Sequence, residues 1–126
     1  MAVRASTTPV PVLEVAAIAE EVDREARFPR ASIEALARAG LLGLGVPDRF
    51  GGPGGGPEKV VAAIEQVAGA CASTAMVYVM QVVAVQTLIA GTGEEEPDGP
   101  KHAALAAAAR GEHLATLAYS ERGSRG

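Results

Sequence analysis

Tryptophan is absent from this chain, and phenylalanine and tyrosine occur only twice each among 126 residues. Aromatic side chains favour strands, so an all-β domain is not expected. The single cysteine, Cys71, has no partner for an intrachain disulfide and cannot build a CxxC zinc site. The two histidines, His102 and His113, are separated by a helix stop at Gly111 and lack the spacing of metal ligands. Positive charge is scarce too. Eleven Lys and Arg face fifteen Asp and Glu, for a net charge of −4. That argues against a general nucleic-acid binder, which needs a cationic field to displace counterions. The N-terminus carries one positive charge, Arg4, with no apolar core behind it, and so does not read as a secretory signal. The most apolar run, residues 75–91, is interrupted by Gln81 and Gln86 and falls short of the ~20 residues that span a bilayer. It reads as a buried core helix, and no membrane partner is expected. The cytoplasm is the default compartment.

What is present points to helices. Hydrophobic residues make up 48% and charged residues 21%, enough to bury a core within one domain. Alanine, the best helix former, fills 26 positions. Residues 1–11 hold Pro9 and Pro11 among small polar residues and read as a flexible lead-in. Val12, Val15, Ala19, Val22 and Ala26 then recur at helical spacing, which puts them on one face. Phe28-Pro29 ends that helix, because a residue before proline avoids the α region. A second helix carries Ile33, Leu36 and Ala37 and stops at Gly40, a glycine C-cap. Five glycines and three prolines crowd residues 47–57, where no regular element is expected. A third helix follows, with Val60, Ile64, Val67 and Cys71 on its apolar face, so the thiol reads as buried and inert. Ser73 or Thr74 is placed to cap a fourth helix that runs to about Ala90. Apolar nearly all round, it should sit centrally. Gly91-Thr92-Gly93 and the acidic turn at residues 94–100 separate it from a fifth, alanine-rich helix at residues 101–110. Beyond Gly111, residues 114–119 have the composition of a short strand. The fold expected is therefore all-α: an antiparallel bundle of about five helices, with a short C-terminal β-strand leading into an absent β-domain.

Catalytic patterns are few. The glycine-rich loop is not a Walker loop, since Lys59 lies between Glu58 and Val60. It is not a dinucleotide fingerprint either, since the sixth position counted from Gly43 is Asp48. No GxSxG elbow occurs. The acidic residues lie on helix faces and in the acidic turn, and sequence does not bring two of them across a cleft.

Several features nevertheless fall in a familiar order. Asp23 precedes Phe28-Pro29. Ala39-Gly40-Leu41-Leu42-Gly43-Leu44 and Val46-Pro47-Asp48-Arg49-Phe50-Gly51-Gly52 follow. Then come Ile64-Glu65, Cys71-Ala72-Ser73-Thr74-Ala75, Gly91-Thr92, Gly111-Glu112 and Tyr119-Ser120-Glu121. This order resembles the amino-terminal helical domain of the acyl-CoA dehydrogenase family over about residues 12–125.

The resemblance implies a flavoenzyme. Family members bind FAD and remove hydrogen from the α and β carbons of acyl-CoA thioesters. A glutamate takes the α-proton and the flavin takes the β-hydride. That glutamate lies in a carboxy-terminal domain which this chain lacks, so no catalytic residue is assigned. The resemblance places Ser120 where a threonine hydrogen-bonds the flavin, and runs the backbone of Leu117 and Tyr119 past the ring. It makes Glu121 structural and puts the Ser73 end of the central helix near the acyl pocket. The family's proline is Arg122 here, and its Gly-Ser pair is Arg125-Gly126. On this reading residues 12–111 form the helical domain and residues 112–126 begin the middle β-domain. An acyl-CoA or related small molecule is the expected substrate, and the full-length family implies a homo-oligomer. The chain alone is expected neither to hold FAD tightly nor to turn over substrate. Two alternatives stay open: a flavin-dependent monooxygenase of the same fold, and a non-catalytic helical interaction module.

Overall fold

The computed structural model describes residues 9–93, 98–118 and 120. The helices are α1 (Val12–Ala17), α2 (Ala19–Glu25), α3 (Arg30–Arg38), α4 (Pro57–Ala70), α5 (Ala72–Thr92) and α6 (Pro100–Ala109). Two short 3-10 turns, Leu41–Gly43 and Asp48–Phe50, lie between α3 and α4.

The bundle of about five helices is as expected, with local corrections. The first amphipathic stretch is broken at Ile18, whose backbone (φ −110°, ψ 2°) leaves the helical region. Val15 and Val22 still point inward from the two halves, while Val12 and Ala26 are exposed. Helix α2 ends at Glu25, before Phe28-Pro29, because Ala26 turns left-handed at φ 49°. Gly40 closes α3 at φ 74°, the conformation that made glycine the expected stop. Neither Ser73 nor Thr74 caps α5. Cys71 holds the cap position without a side-chain bond, and Thr74 is buried one turn inside. The thiol is buried at the α4–α5 junction, as its spacing implied.

Helix α5 is the axis of the fold and packs on α2, α3, α4 and α6. One cluster of buried side chains joins its first half to α1, α3, the first 3-10 turn and α4, through Val15, Leu36, Leu41, Val67 and Tyr78. A smaller cluster joins its second half to α6 and the glycine-rich loop, through Val46, Phe50, Val85 and Leu105. At 21 residues, α5 exceeds the run read from the sequence, and by length and composition it is long and apolar enough to cross a membrane. Gln81, at its middle, is wholly buried and bonded to other segments of the bundle. An amide satisfied by the rest of the fold is what a core helix requires, since a buried polar group without partners is costly.

Glycine is required where the backbone comes closest. A Cβ on Gly43 would lie 2.5 Å from Ala109 Cα, so the first 3-10 turn rests directly on α6. Gly111, at φ 74°, ends α6 with the α3 carbonyl of Ala37 2.9 Å from where a Cβ would sit.

The expected C-terminal strand is not found. Among the described residues there is no β-strand. Residues 112–118 belong to no regular element, although half-buried and exposed positions alternate along them. Strand-forming side chains do not make a strand without a neighbouring ladder for the backbone donors and acceptors. No such ladder exists among the described residues. Tyr119, at the end of the expected strand, lies outside them.

Candidate functional site

Residues 112–118 leave α6 and run across the face of α5, and a side-chain amide takes the place of a neighbouring strand. Gln81 Nε2 donates to the carbonyls of Leu42 (3.1 Å) and His113 (3.0 Å). Its Oε1 accepts the Ala115 N–H at 2.6 Å. One turn earlier, the buried Tyr78 hydroxyl donates to the Leu41 carbonyl at 2.9 Å. Burial pushes the Tyr78 phenol well above its ordinary pKa, so it stays a neutral donor. Tyr78 and Gln81 thus fasten the first 3-10 turn to α5, and Gln81 adds the segment that follows α6.

Beside this fastening lies an apolar groove of about 320 Å³. Val77 and Met80 come from α5, Phe28 from the α2–α3 connection, and Leu114, Ala115 and Thr116 from the exit segment. Phe28 is 46% exposed and Leu114 44%, and Met76 nearby on α5 is 64% exposed. The apolar face that α5 presents here is therefore not consumed by the bundle. None of the lining side chains is ionisable. The groove can bind an apolar group and keep water from it, but it contains no acid or base.

Of the three residues singled out from the sequence, two are described, and they follow the groove-lining Thr116 along the chain. Leu117 is half-buried and Ser120 is exposed. Tyr119 lies outside the described residues. Among the described residues, nothing hydrogen-bonds to the backbone of residues 116–118. Two residues of this region, Phe28 in the groove lining and Gln81 in the fastening beside it, had no functional reading in the sequence. Phe28 looked only like a helix stop, and Gln81 only like an interruption of an apolar run. The one signal was the oddity of a long amide at the centre of an apolar helix.

Other features carry less chemistry. The backbone donors of Gly45, Gly51, Gly52 and Gly54 are spent inside the glycine-rich loop, which agrees with its failing the phosphate-loop patterns. His102 meets the Phe50 ring edge-on, with centroids 4.7 Å apart, and is not among the residues that line the groove. Among the described residues, no three His, Cys, Asp or Glu side chains group as metal ligands.

Comparison with known proteins gives these features a context. Residues 2–112 match the family model described as the acyl-CoA dehydrogenase N-terminal domain. The chain is 35% identical over 85 residues to the acryloyl-CoA reductase (NADH) of Anaerotignum propionicum, which covers 67% of this chain and 22% of that protein. It is 28% identical over 108 residues to the short-chain-specific acyl-CoA dehydrogenase of Clostridium acetobutylicum, covering 86% of this chain and 28% of that protein. It is 29% identical over 114 residues to the 3-(aryl)acrylate reductase of Clostridium sporogenes, covering 88% and 29% respectively. No solved structure matches the chain. The chain spans about a quarter of the length of the curated relatives it matches. The helical order, the glycine-dependent turns and the family match over residues 2–112 agree, and the chain belongs to the acyl-CoA dehydrogenase family, as an N-terminal helical domain.

Proposed function

We propose that this chain is the helical part of a cytoplasmic, homo-oligomeric FAD-dependent oxidoreductase acting on the CH–CH group of an acyl-CoA thioester. The observation that carries the reading is the juxtaposition of an apolar groove with a polar rim. The rim begins at the groove-lining Thr116 and continues along the chain through residues 117–118, whose backbone makes no hydrogen bond among the described residues, toward the exposed Ser120. An isoalloxazine has that same division, with flat apolar rings and a hydrogen-bonding edge, so the residues present fit it. Family membership supports the same cofactor. The relatives' names give acryloyl-CoA, short-chain acyl-CoA and 3-(aryl)acrylate. Each offers a carbon pair beside a carbonyl.

When bound, FAD supplies the two-electron partner for the carbon that gains or loses hydride. The chain's own residues position and desolvate. Ser120 Oγ offers a hydrogen bond to the flavin edge, and the main chain at Leu117 and Tyr119 offers further donors and acceptors. Phe28, Val77 and Met80 form the apolar wall that keeps water from the reacting carbons, which strengthens any charge interaction made there. A space of about 320 Å³ is at the small end for a ligand cavity, where ~300–1,000 Å³ is usual. No acid or base lines the groove, so the α-proton is taken by a group outside the described residues, and the chain alone does not turn over.

Amide NMR spectra of the purified chain, titrated with FMN as a soluble flavin, test this. The expected result is weak, saturable binding, with shifts confined to residues 114–120 and the Val77–Met80 turn. Shifts elsewhere only, or none at millimolar FMN, would refute the reading. So would a chain that purifies with stoichiometric flavin and oxidises butyryl-CoA unaided.

A further inference from the structure

The Gln81 amide does more than fill a polar gap in the core. A carboxamide has two N–H donors and an oxygen acceptor. Here both Nε2 bonds and the Oε1 bond are made, to Leu42 O, His113 O and Ala115 N–H. The orientation is determined by its partners, because exchanging N and O would set donor against donor at Ala115. The carbonyl of residue 113 and the N–H of residue 115 are the pair that a strand centred on residue 114 offers to one neighbour. Gln81 takes both, as the N–H and C=O of a single residue in a parallel neighbouring strand would. The side chain comes from a buried point on α5 that is also bonded to the first 3-10 turn, so the pairing is anchored in the core.

The consequence is register. With the 113–115 pair held inward, His113, Ala115 and Leu117 are half-buried, while Leu114, Thr116, Ala118 and Ser120 are exposed. Side chains of an extended chain alternate with a period of two, so a slip of one residue exchanges the two sets. It would turn Leu114 and Thr116 out of the groove wall and send the Ser120 hydroxyl to the opposite side.

We propose that Gln81 is the positioning residue of this site: its amide sets the register of residues 113–118, and so decides which side chains line the groove and which way Ser120 faces. The part that concerns flavin rests on the function proposed above; the register itself does not. Gln81 touches neither substrate nor cofactor and acts through the segment it holds.

The test has two arms on the purified chain. In the first, variants that each add one cysteine, Leu114→Cys, Ala115→Cys, Thr116→Cys or Leu117→Cys, are labelled with a thiol reagent, the native Cys71 being buried. Labelling is expected to alternate, with positions 114 and 116 about tenfold faster than 115 and 117, as for a segment held by native-state bonds. Equal rates would overturn the proposal without any change at Gln81. Introducing Gln81→Met, of similar length but without the amide, is expected to abolish the alternation. It should also raise Ala115 amide exchange about tenfold, on the scale of one lost buried bond, while α4 and α5 amides stay protected. Alternation and Ala115 protection that survive Gln81→Met would overturn it. In the second arm, FMN is titrated into the native chain and Gln81→Met. A several-fold weaker response at residues 117–120 in the variant supports the positioning role. An unchanged response after the alternation is lost refutes it. A native chain that ignores FMN sinks the flavin reading alone, and the labelling arm still decides whether Gln81 sets the register.

Discussion

Replacing Tyr78 by phenylalanine removes one hydroxyl from a site with no solvent exposure. The lost bond is the one from Tyr78 Oη to Leu41 O, at 2.9 Å. A typical buried hydrogen bond contributes about 0.5–1.5 kcal/mol net, and an acceptor left with no partner costs about 1–3 kcal/mol. The Leu41 carbonyl is not left alone, because it also accepts the Leu44 N–H at 3.2 Å. The lower range therefore applies, and Tyr78→Phe should destabilise the chain by about 1 kcal/mol near pH 8. The pH dependence adds a second, sharper expectation. Burial raises the folded pKa of this phenol, whereas the unfolded chain ionises it near ~10. A raised folded pKa means that the contribution is intact below the unfolded value and falls as pH rises above it. One pH unit beyond that point costs the native protein about 1.4 kcal/mol relative to a variant without the phenol. The deficit of Tyr78→Phe should therefore vanish between pH 10 and 11, and the variant should become the more stable by roughly 0.4 kcal/mol at pH 11. Urea unfolding at pH 8, 10 and 11, read as midpoints at constant slope, measures the difference directly. A gap that stays the same from pH 8 to pH 11 would refute the burial argument. A gap below a few tenths at pH 8 would refute the hydrogen bond.

Gly43→Ala should cost about 1–3 kcal/mol, because its methyl would meet Ala109 Cα at 2.5 Å, main chain that cannot swing aside. Thermal unfolding would reveal it, and a neutral result would mean that the first 3-10 turn does not rest on α6. Ala26→Gly should be neutral or stabilise by up to ~1 kcal/mol, since Ala26 adopts φ 49° and the left-handed region costs a β-carbon about that much; a clear loss of stability would contradict it. Ser120→Ala should leave the unfolding midpoint within ~0.5 kcal/mol of the native chain, as an exposed change does. It should weaken the FMN response at residues 117–120, and an unaltered titration would remove Ser120 from the site.

The sequence by itself determined the helices, because the forces that make them act within a few residues. The heptad-like spacing of Val60, Ile64 and Val67, the breakers at Gly40 and around residues 47–57, and the alanine excess all act locally, and α3 to α6 lie close to where they were expected. The break at Ile18 was not legible, since the same apolar face continues on both sides of it, with Val15 buried from one half and Val22 from the other. The order of family motifs was legible as well, and the family match over residues 2–112 agrees with it. Tertiary structure alone decided what residues 112–118 become. A strand is a pairing, and whether residues 114–119 had a partner depended on chain far from them. The partner they found is a side-chain amide more than thirty residues earlier, which also binds Leu42 from the other side. Contacts at that separation leave no periodic trace, so the groove wall and its fastening at Gln81 emerge only once α5 sits between the 3-10 turn and the end of α6.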